Sequence, residues 1–294
     1  DGNIDDIRTE LTKQGENCIG FTPINRFSGT FDGQNNKICN LYENVPNGVA
    51  GLFGICNGTI KNLGLKNVNI TGTSWAGGIV GNSYANITNC FVEGTNILKG
   101  PSGKGLIAGI HRNVDIENCY SIGKAISLGT GGFGGIIGQA QDMKIKKCFN
   151  IMEIKAEGGA AGIISIYQKN IGVEGLILTI EECYHIGDIT GGANSESAGI
   201  VGGYAGGIMK NCYSIGNING KANASGMSGY YSRVDYFNCY SVGEIIGTKN
   251  RGAVTAICYG GHILHCFARR GDLGELPEKL ELSHIKKYMA STIS

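Results

Sequence analysis

The apolar and polar positions of this chain repeat along most of its length. Seven cysteines, each followed by an aromatic residue, recur at intervals of 27 to 35 residues. A glycine usually stands four residues after the cysteine, and a small apolar run such as AGGIVG (76–81) precedes it. The pairs are Cys90–Phe91, Cys119–Tyr120, Cys148–Phe149, Cys183–Tyr184, Cys212–Tyr213, Cys239–Tyr240 and Cys266–Phe267. Self-similarity at a nearly fixed period predicts a repeat architecture.

Each repeat is too short to bury its own apolar face. It contains three short β-rich pieces and no stretch with helical periodicity. Such units are stable only when each stacks on the units above and below it. Strands in register from coil to coil form parallel sheets, and parallel crossovers are right-handed in nearly all cases. The sequence therefore predicts an all-β, right-handed parallel β-solenoid (β-helix) of about nine coils, with three short strands per coil.

The same pattern divides the chain into three parts. Solenoid repeats fill residues 27–273, and the long interval between the third and fourth cysteines predicts a loop insertion around residues 167–175. The two ends of a solenoid need covers. We expect an N-terminal cap in residues 1–26 and a C-terminal cap or tail in residues 274–294, where Ser283 would begin a short helix.

Two opposing arguments bear on which face of the strand the cysteines occupy. Side chains alternate along a strand, so the cysteine and the aromatic residue of each pair lie on opposite faces. Size alone would bury the aromatic residues. However, Leu63 and Gly64 take the cysteine and aromatic positions in an earlier repeat, and the charged Glu93 shares the aromatic face. These features, and the need of tyrosine hydroxyls for partners, favour inward cysteines and an outer ladder of aromatic side chains.

This outer ladder is the first candidate ligand-binding site. Its members are Phe91, Tyr120, Phe149, Tyr184, Tyr213, Tyr240 and Phe267. An exposed apolar line flanked by aliphatic residues is typical of a binding stripe or a packing seam. The alternative is that stacked rings only stabilise one face of the solenoid and bind no partner. Since loops commonly carry binding residues, the insertion at 167–175 and the loop Lys99–Lys104 are further candidates.

Eleven cysteines raise the question of a disulfide framework. Their periodic placement and odd number instead predict free, buried thiols that serve as small apolar side chains. The predicted structural cysteine column consists of Cys90, Cys119, Cys148, Cys183, Cys212, Cys239 and Cys266. The cysteines outside it are Cys18, Cys39, Cys56 and Cys258.

Two short motifs could suggest other binding chemistry. The segment CYGGHILHC (258–266) contains the residue types that bind zinc. Cys266 belongs to the cysteine column, however, and His265 stands where other repeats carry an outward asparagine, so the side chains would diverge and no metal site is predicted. Residues 270–272 spell RGD, an integrin-type tripeptide, but they fall in an ordinary glycine corner of the repeat.

Catalysis is an alternative function for a solenoid of this kind, because some polysaccharide lyases and hydrolases are parallel β-helices. Such enzymes cluster acidic residues on one sheet face. The pairs Asp115 with Glu117 and Glu181 with Glu182 are interpreted instead as solvated coil edges. The GGIVG-type runs lack the lysine and helix that follow a phosphate-binding loop. We therefore predict no catalytic residue and no cofactor.

Composition and charge limit the classes of partner that this chain could bind. Fifty glycines with four prolines and 41% hydrophobic residues indicate a chain that is folded throughout. A net charge of +1 without a basic run disfavours nucleic acid. No apolar stretch is long enough for membrane insertion.

Several segments together resemble a known repeat family. FSGTFDGQNNKICNL (27–41), GLFG (51–54), IKNLGLKNVNITG (60–72) and the recurring GGIVG and NCY motifs are similar to the GLUG-motif repeats of bacterial surface proteins. The resemblance implies a secreted or wall-attached protein. Such repeats occur in adhesins. They also occur beside the catalytic domain of metallopeptidases that cut immunoglobulin A. The zinc-binding HExxH motif of those peptidases is absent from this sequence.

Two functional hypotheses follow from these observations. In the first, the chain is a non-catalytic extracellular bacterial repeat protein, an adhesin or a surface-display or spacer module that contacts a host or cell-surface protein or a glycan. In the second, it is the β-solenoid region of a larger secreted enzyme, an IgA-type metallopeptidase or a polysaccharide-active enzyme. Both imply an extracellular or cell-surface location, and self-association through a face or an end of the solenoid is compatible with either.

Overall fold

The repeats wind into a parallel β-solenoid in the computed structural model. The structure describes residues 20–167, 178–192, 196–203, 206–230, 233–256 and 261–269. About eight coils stack in this part of the chain, slightly fewer than the nine predicted. Near the two ends of the solenoid, Ala50 and Thr255 make only isolated bridges, to Ala76 and Ser228. The predicted C-terminal cap and most of the N-terminal cap lie outside the described residues.

The described strands form three sheets, in which every pair of neighbouring strands is parallel. The wide sheet contains Thr30–Cys39, Tyr42–Val45, Thr59–Lys66, Asn69–Gly72, Asn86–Thr88, Phe91–Lys99, Ile116–Glu117, Tyr120–Leu128, Lys144–Lys146, Phe149–Ala156, Leu178–Glu181, Tyr184–Ile186, Ile189–Thr190, Gly206–Lys210, Tyr213–Ile215, Ile218–Gly220, Arg233–Phe237, Tyr240–Val242, Ile245–Gly247, Ile263–Leu264 and Phe267–Arg269. The short sheet contains Ala76–Gly77, Lys104–Gly105, Phe133–Gly134, Ala160–Ala161, Glu196–Ala198, Asn223–Ser225 and Asn250–Gly252. The lateral sheet contains Phe53–Cys56, Val80–Ser83, Ala108–Arg112, Ile137–Gln141, Ile164–Tyr167, Val201–Gly203 and Ser228–Tyr230.

A complete coil contains four or five strands rather than the three predicted. One coil runs through Lys104–Gly105 of the short sheet and Ala108–Arg112 of the lateral sheet, and then through Ile116–Glu117 and Tyr120–Leu128 of the wide sheet. Asn118, just before the cysteine, has a φ of 55°. This left-handed residue interrupts the strand, and an asparagine adopts it at lower cost than most residues. The corner therefore divides one predicted strand into two.

Columns of aliphatic side chains fill the interior. Ile87, Ile116 and Ile145 pair in register and are fully buried. Tight corners between the short and lateral sheets require glycine, since a Cβ on Gly134 would lie 1.9 Å from the carbonyl oxygen of Ile137. The core is thus continuous from coil to coil. None of the segments that the structure describes forms a helix long and apolar enough to cross a bilayer.

Candidate functional site

The aromatic residues that follow the cysteines line one face of the wide sheet. In-register pairing puts each residue directly over the next, from Phe91 to Phe267. The rings from Phe91 to Tyr240 stack with neighbouring centroids 4.7–5.0 Å apart and planes within 4° of parallel. Hydrogen-bonded strands are separated by about 4.8 Å. The backbone register therefore sets the ring stack, which we call the aromatic ladder.

Stacking uses the ring faces and leaves mainly edges and hydroxyls for other contacts. Tyr184 and Tyr213, in the middle of the ladder, are only 6% and 8% exposed, whereas Phe267 at the end is 59% exposed. Burial raises the pKa of the Tyr213 hydroxyl, and the neighbouring tyrosines raise it further. These hydroxyls stay protonated at physiological pH and present no charge to a partner.

An aliphatic column runs beside the aromatic ladder on the same face. Its members, two residues beyond each of the five aromatic residues from Tyr120 to Tyr240, are Ile122, Ile151, Ile186, Ile215 and Val242. Ile122 is 38% exposed, and the others are half-buried. The ladder and this column form one continuous surface, which we call the apolar stripe. Although its central rings are nearly covered, the stripe exposes apolar side chains along one face, as interaction sites commonly do.

The N-terminal end of the ladder is closed by a glycine and an ion pair. A Cβ at Gly64 would lie 2.4 Å from Cζ of Phe91, so this glycine makes room for the first ring. The Lys37 ammonium lies 5.6 Å from the centroid of the Phe91 ring and 2.8 Å from Oε2 of Glu93. The ladder therefore begins at Phe91 with a charged rim.

The cysteine column lies on the opposite, interior face of the same strands. The six members from Cys90 to Cys239 are fully buried, Cys266 is half-buried, and all seven are free thiols. Each Sγ lies 3.1–3.4 Å from the carbonyl oxygen two residues earlier in the chain. Burial raises the pKa of Cys148 and Cys212. Thiols in such surroundings are unreactive packing groups.

A second interior column, two residues after each of the five cysteines from Cys119 to Cys239, is polar. Asn150 Nδ2 donates a 2.6 Å hydrogen bond to Ser121 Oγ, which donates to the carbonyl oxygen of Gly135 at 2.8 Å. His185 Nδ1 lies 2.7 Å from Asn150 Oδ1, and its Nε2 lies 2.9 Å from the carbonyl oxygen of Gly187. Burial lowers the pKa of His185 to about 4. These groups are enclosed, so they support the fold rather than contact a ligand.

The loop Lys99–Lys104 directs its second lysine into the protein. Lys104 is fully buried, and its Nζ donates to the carbonyl oxygens of Gly100, Ser102 and Gly131 at 2.9, 3.3 and 2.6 Å. Burial lowers the pKa of this ammonium to about 8. Lys104 therefore ties two successive corners together and is not available to a ligand. The other candidate loop falls almost entirely outside the described residues, apart from Tyr167.

The residues considered for metal binding do not converge where the structure describes them. His262 Nδ1 pairs with Asp235 Oδ1 at 3.0 Å, and His265 occupies a left-handed corner with a φ of 54°. Among the described residues, no three His, Cys, Asp or Glu side chains lie close enough together to hold a metal ion. Cys258 and the RGD tripeptide at 270–272 lie outside the described residues.

The acidic residues of the coil edges are paired with lysines. Glu181 Oε2 lies 3.0 Å from Lys144 Nζ, and Glu182 Oε1 lies 3.5 Å from Lys146 Nζ. Asp115 Oδ1 accepts a hydrogen bond from the backbone N–H of Lys144. Side-chain hydrogen bonding to Lys144 lowers the pKa of Glu181. Glu181 is therefore solvated and charged at neutral pH.

The sequence reasoning missed a cluster on the outer side of the lateral sheet. We call it the Trp75–Arg112 cluster; its members are Trp75, Asn82, Tyr84, Arg112, Gln139 and Gln141. The available signal was the single tryptophan of the chain. Its partners come from three different repeats, so they become neighbours only once the register of the coils is known.

Comparison with known proteins gives structural neighbours without a family assignment. No family model and no curated protein matches the chain. A crystal structure named as a candidate immunoglobulin A1 protease from Bacteroides ovatus aligns with 21% identity and a TM-score of 0.44, over 78% of this chain and 68% of that chain. A structure named IgA1 Protease aligns with 16% identity and a TM-score of 0.42, over 80% of this chain and only 18% of that chain.

Proposed function

We propose that this chain is a non-catalytic extracellular repeat module of the adhesin or surface-display type, and that the apolar stripe is its docking surface. The observation that carries the proposal is the unbroken line of aromatic and aliphatic side chains on one outer face. The resemblance of the sequence to the repeats of bacterial surface proteins supports an extracellular location.

A protein partner suits this surface better than a glycan. Stacking of a sugar needs a free aromatic face, whereas the internal rings of the ladder cover each other at 4.7–5.0 Å. Ring edges and branched aliphatic side chains instead offer the shape of an ordinary protein interface core. The partner is therefore expected to bring apolar side chains that fit between the ladder and the aliphatic column.

A charge placed in the stripe should weaken docking strongly. Partners would be identified on protein and glycan arrays, and binding then measured by surface plasmon resonance. Ile122→Lys should weaken binding at least tenfold, because the ammonium would be desolvated in the interface. Ile246→Lys is the matched control, since Ile246 is 41% exposed against 38% for Ile122 but lies outside the stripe. Equal binding by both variants would rule out the stripe as the docking surface.

The second hypothesis places the same solenoid inside a larger secreted enzyme, as its resemblance to the repeats beside IgA-cleaving peptidase domains suggests. The stripe would then pack on a catalytic domain of the same polypeptide. The gene sequence on either side distinguishes the two. An HExxH or hydrolase domain supports the enzyme, whereas a wall-sorting signal supports the adhesin.

A further inference from the structure

The Trp75–Arg112 cluster is independent of the apolar stripe, because it lies on a different sheet. The Arg112 guanidinium carbon lies 5.2 Å from the ring centroid of Trp75 and 5.3 Å from that of Tyr84. Arg112 Nε donates to Gln141 Oε1 at 2.9 Å, and Nη1 donates to Asn82 Oδ1 at 2.6 Å. Two rings and two amides thus hold one cation in a fixed orientation.

This cation has no acidic partner among the described residues. The ion pairs of the described chain involve other basic side chains. Arg112 is half-buried, and partial burial lowers its pKa. A guanidinium without a carboxylate in such a setting can gain a charge-assisted, bidentate contact from an anion. The ligand chemistry that this suggests is a carboxylate.

The neighbouring side chains supply the other groups that a sugar requires. Asn82 and Gln141 turn their oxygens toward Arg112, so their amide nitrogens have no hydrogen-bond partner among the described residues and remain available as donors. Tyr84 is 40% exposed, and Trp75 donates from Nε1 to Gln139 Oε1 at 3.3 Å, which fixes the indole. Rigid aromatic surface with a few directed polar groups is the usual composition of a small-ligand site.

We propose that the Trp75–Arg112 cluster binds an acidic sugar. The carboxylate of the sugar contacts the guanidinium of Arg112. Its hydroxyls accept hydrogen bonds from the amide groups of Asn82 and Gln141, and its apolar face lies against Tyr84 or Trp75. An arginine has five N–H groups, so donors remain for the ligand beside the two bonds to the amide oxygens and the hydrogen bond to Tyr84.

The single tryptophan of the chain makes this site directly observable. Tetragalacturonate and 3′-sialyllactose would be titrated against indole fluorescence, with fully methyl-esterified tetragalacturonate and lactose as the neutral counterparts. At least one acidic sugar should give a saturable change, and its neutral counterpart should bind at least tenfold more weakly. The affinity for the acidic sugar should also fall as the salt concentration is raised. Equal binding of acidic and neutral sugars, or no change with either acidic sugar, would overturn the proposal.

Two variants separate binding from a purely structural role. Asn82→Asp keeps the side-chain shape but places a carboxylate against Arg112. The affinity for the acidic sugar should fall at least tenfold, and the midpoint of thermal unfolding should stay the same or rise. Arg112→Gln should also lose binding, and Arg251→Gln, on an exposed arginine of the short sheet, is its control. If Asn82→Asp binds the sugar like the wild type, the cluster is only a clasp between coils. Ile122→Lys should leave this titration unchanged, so failure of the stripe and failure of this site are distinguishable.

Discussion

Buried histidines make the stability of this solenoid depend on pH. Burial lowers the pKa of His185 and of His111 to about 4, from an ordinary value of 6.5. Both side chains are fully buried and hydrogen-bonded, His111 through Ser83 Oγ at 2.9 Å and the Val114 carbonyl oxygen at 2.7 Å. Because the folded state binds fewer protons than the unfolded state in this window, stability is lost as pH falls from 6.5 toward 4.

The free energy of unfolding should therefore fall by about 3 kcal/mol for each histidine between pH 6.5 and pH 4. His185→Asn places the residue of the preceding coil at this position, and it should remove about half of the histidine contribution to the fall in stability. Urea denaturation of the wild type and the variant at several pH values measures how steeply the free energy of unfolding depends on pH. Identical slopes would show that His185 is not enclosed as described.

The polarity of this interior column was only partly predictable. The alternation of side chains places Ser121, Asn150 and His185 on the same face as the cysteines. Nothing in a single repeat shows that Asn150 and His185 each find a partner in the preceding coil. The bond from Asn150 to Ser121 joins residues 29 positions apart.

At the scale of the element, glycine and asparagine corners set the register of the strands. Gly123, four residues after its cysteine, has a φ of 125°, and a Cβ there would lie 2.2 Å from the carbonyl oxygen of Gly94. Both the backbone conformation and the close coil above therefore require glycine. The same column contains Gly94, Gly187, Gly216 and Gly243, all with positive φ.

Gly123→Ala should destabilise the protein by at least about 2 kcal/mol, through backbone strain and displacement of the neighbouring coil. Lys124→Ala, at the next position, is the control. Its side chain is 67% exposed and lies 3.4 Å from Glu153, so its loss should cost less than about 1 kcal/mol. Chemical denaturation measures both, and a Gly123→Ala protein as stable as the control would contradict the close packing of these corners.

Corners also explain where sequence reasoning about the elements was incomplete. The glycine column was visible in the spacing of the repeat. The left-handed conformation at Asn118 could not be predicted from the repeat, because Lys147 and Glu182 occupy the same corner in later coils. Their φ values are 51° and 55°. Stacking on neighbouring coils imposes this conformation on residues that do not favour it.

At the scale of the whole molecule, the solenoid and its outer aromatic line were readable from sequence, and the second candidate site was not. Periodicity predicts stacked coils and therefore columns of equivalent residues. The coil count changed because incomplete terminal repeats look like complete ones in a sequence pattern. The Trp75–Arg112 cluster does not follow the periodicity, since no other repeat carries a tryptophan or an arginine at these two positions. A search for repeated features therefore does not detect it.

The cysteine–aromatic pairs mark equivalent points on successive coils of one wound sheet. A crystal diffracting at long wavelength would show the sulfur atoms directly in an anomalous difference map. The sulfurs from Cys90 to Cys239 should lie in one line, with steps of about 4.8 Å. Sulfur peaks scattered through the molecule, or joined in pairs at the bonded distance of about 2 Å, would contradict it.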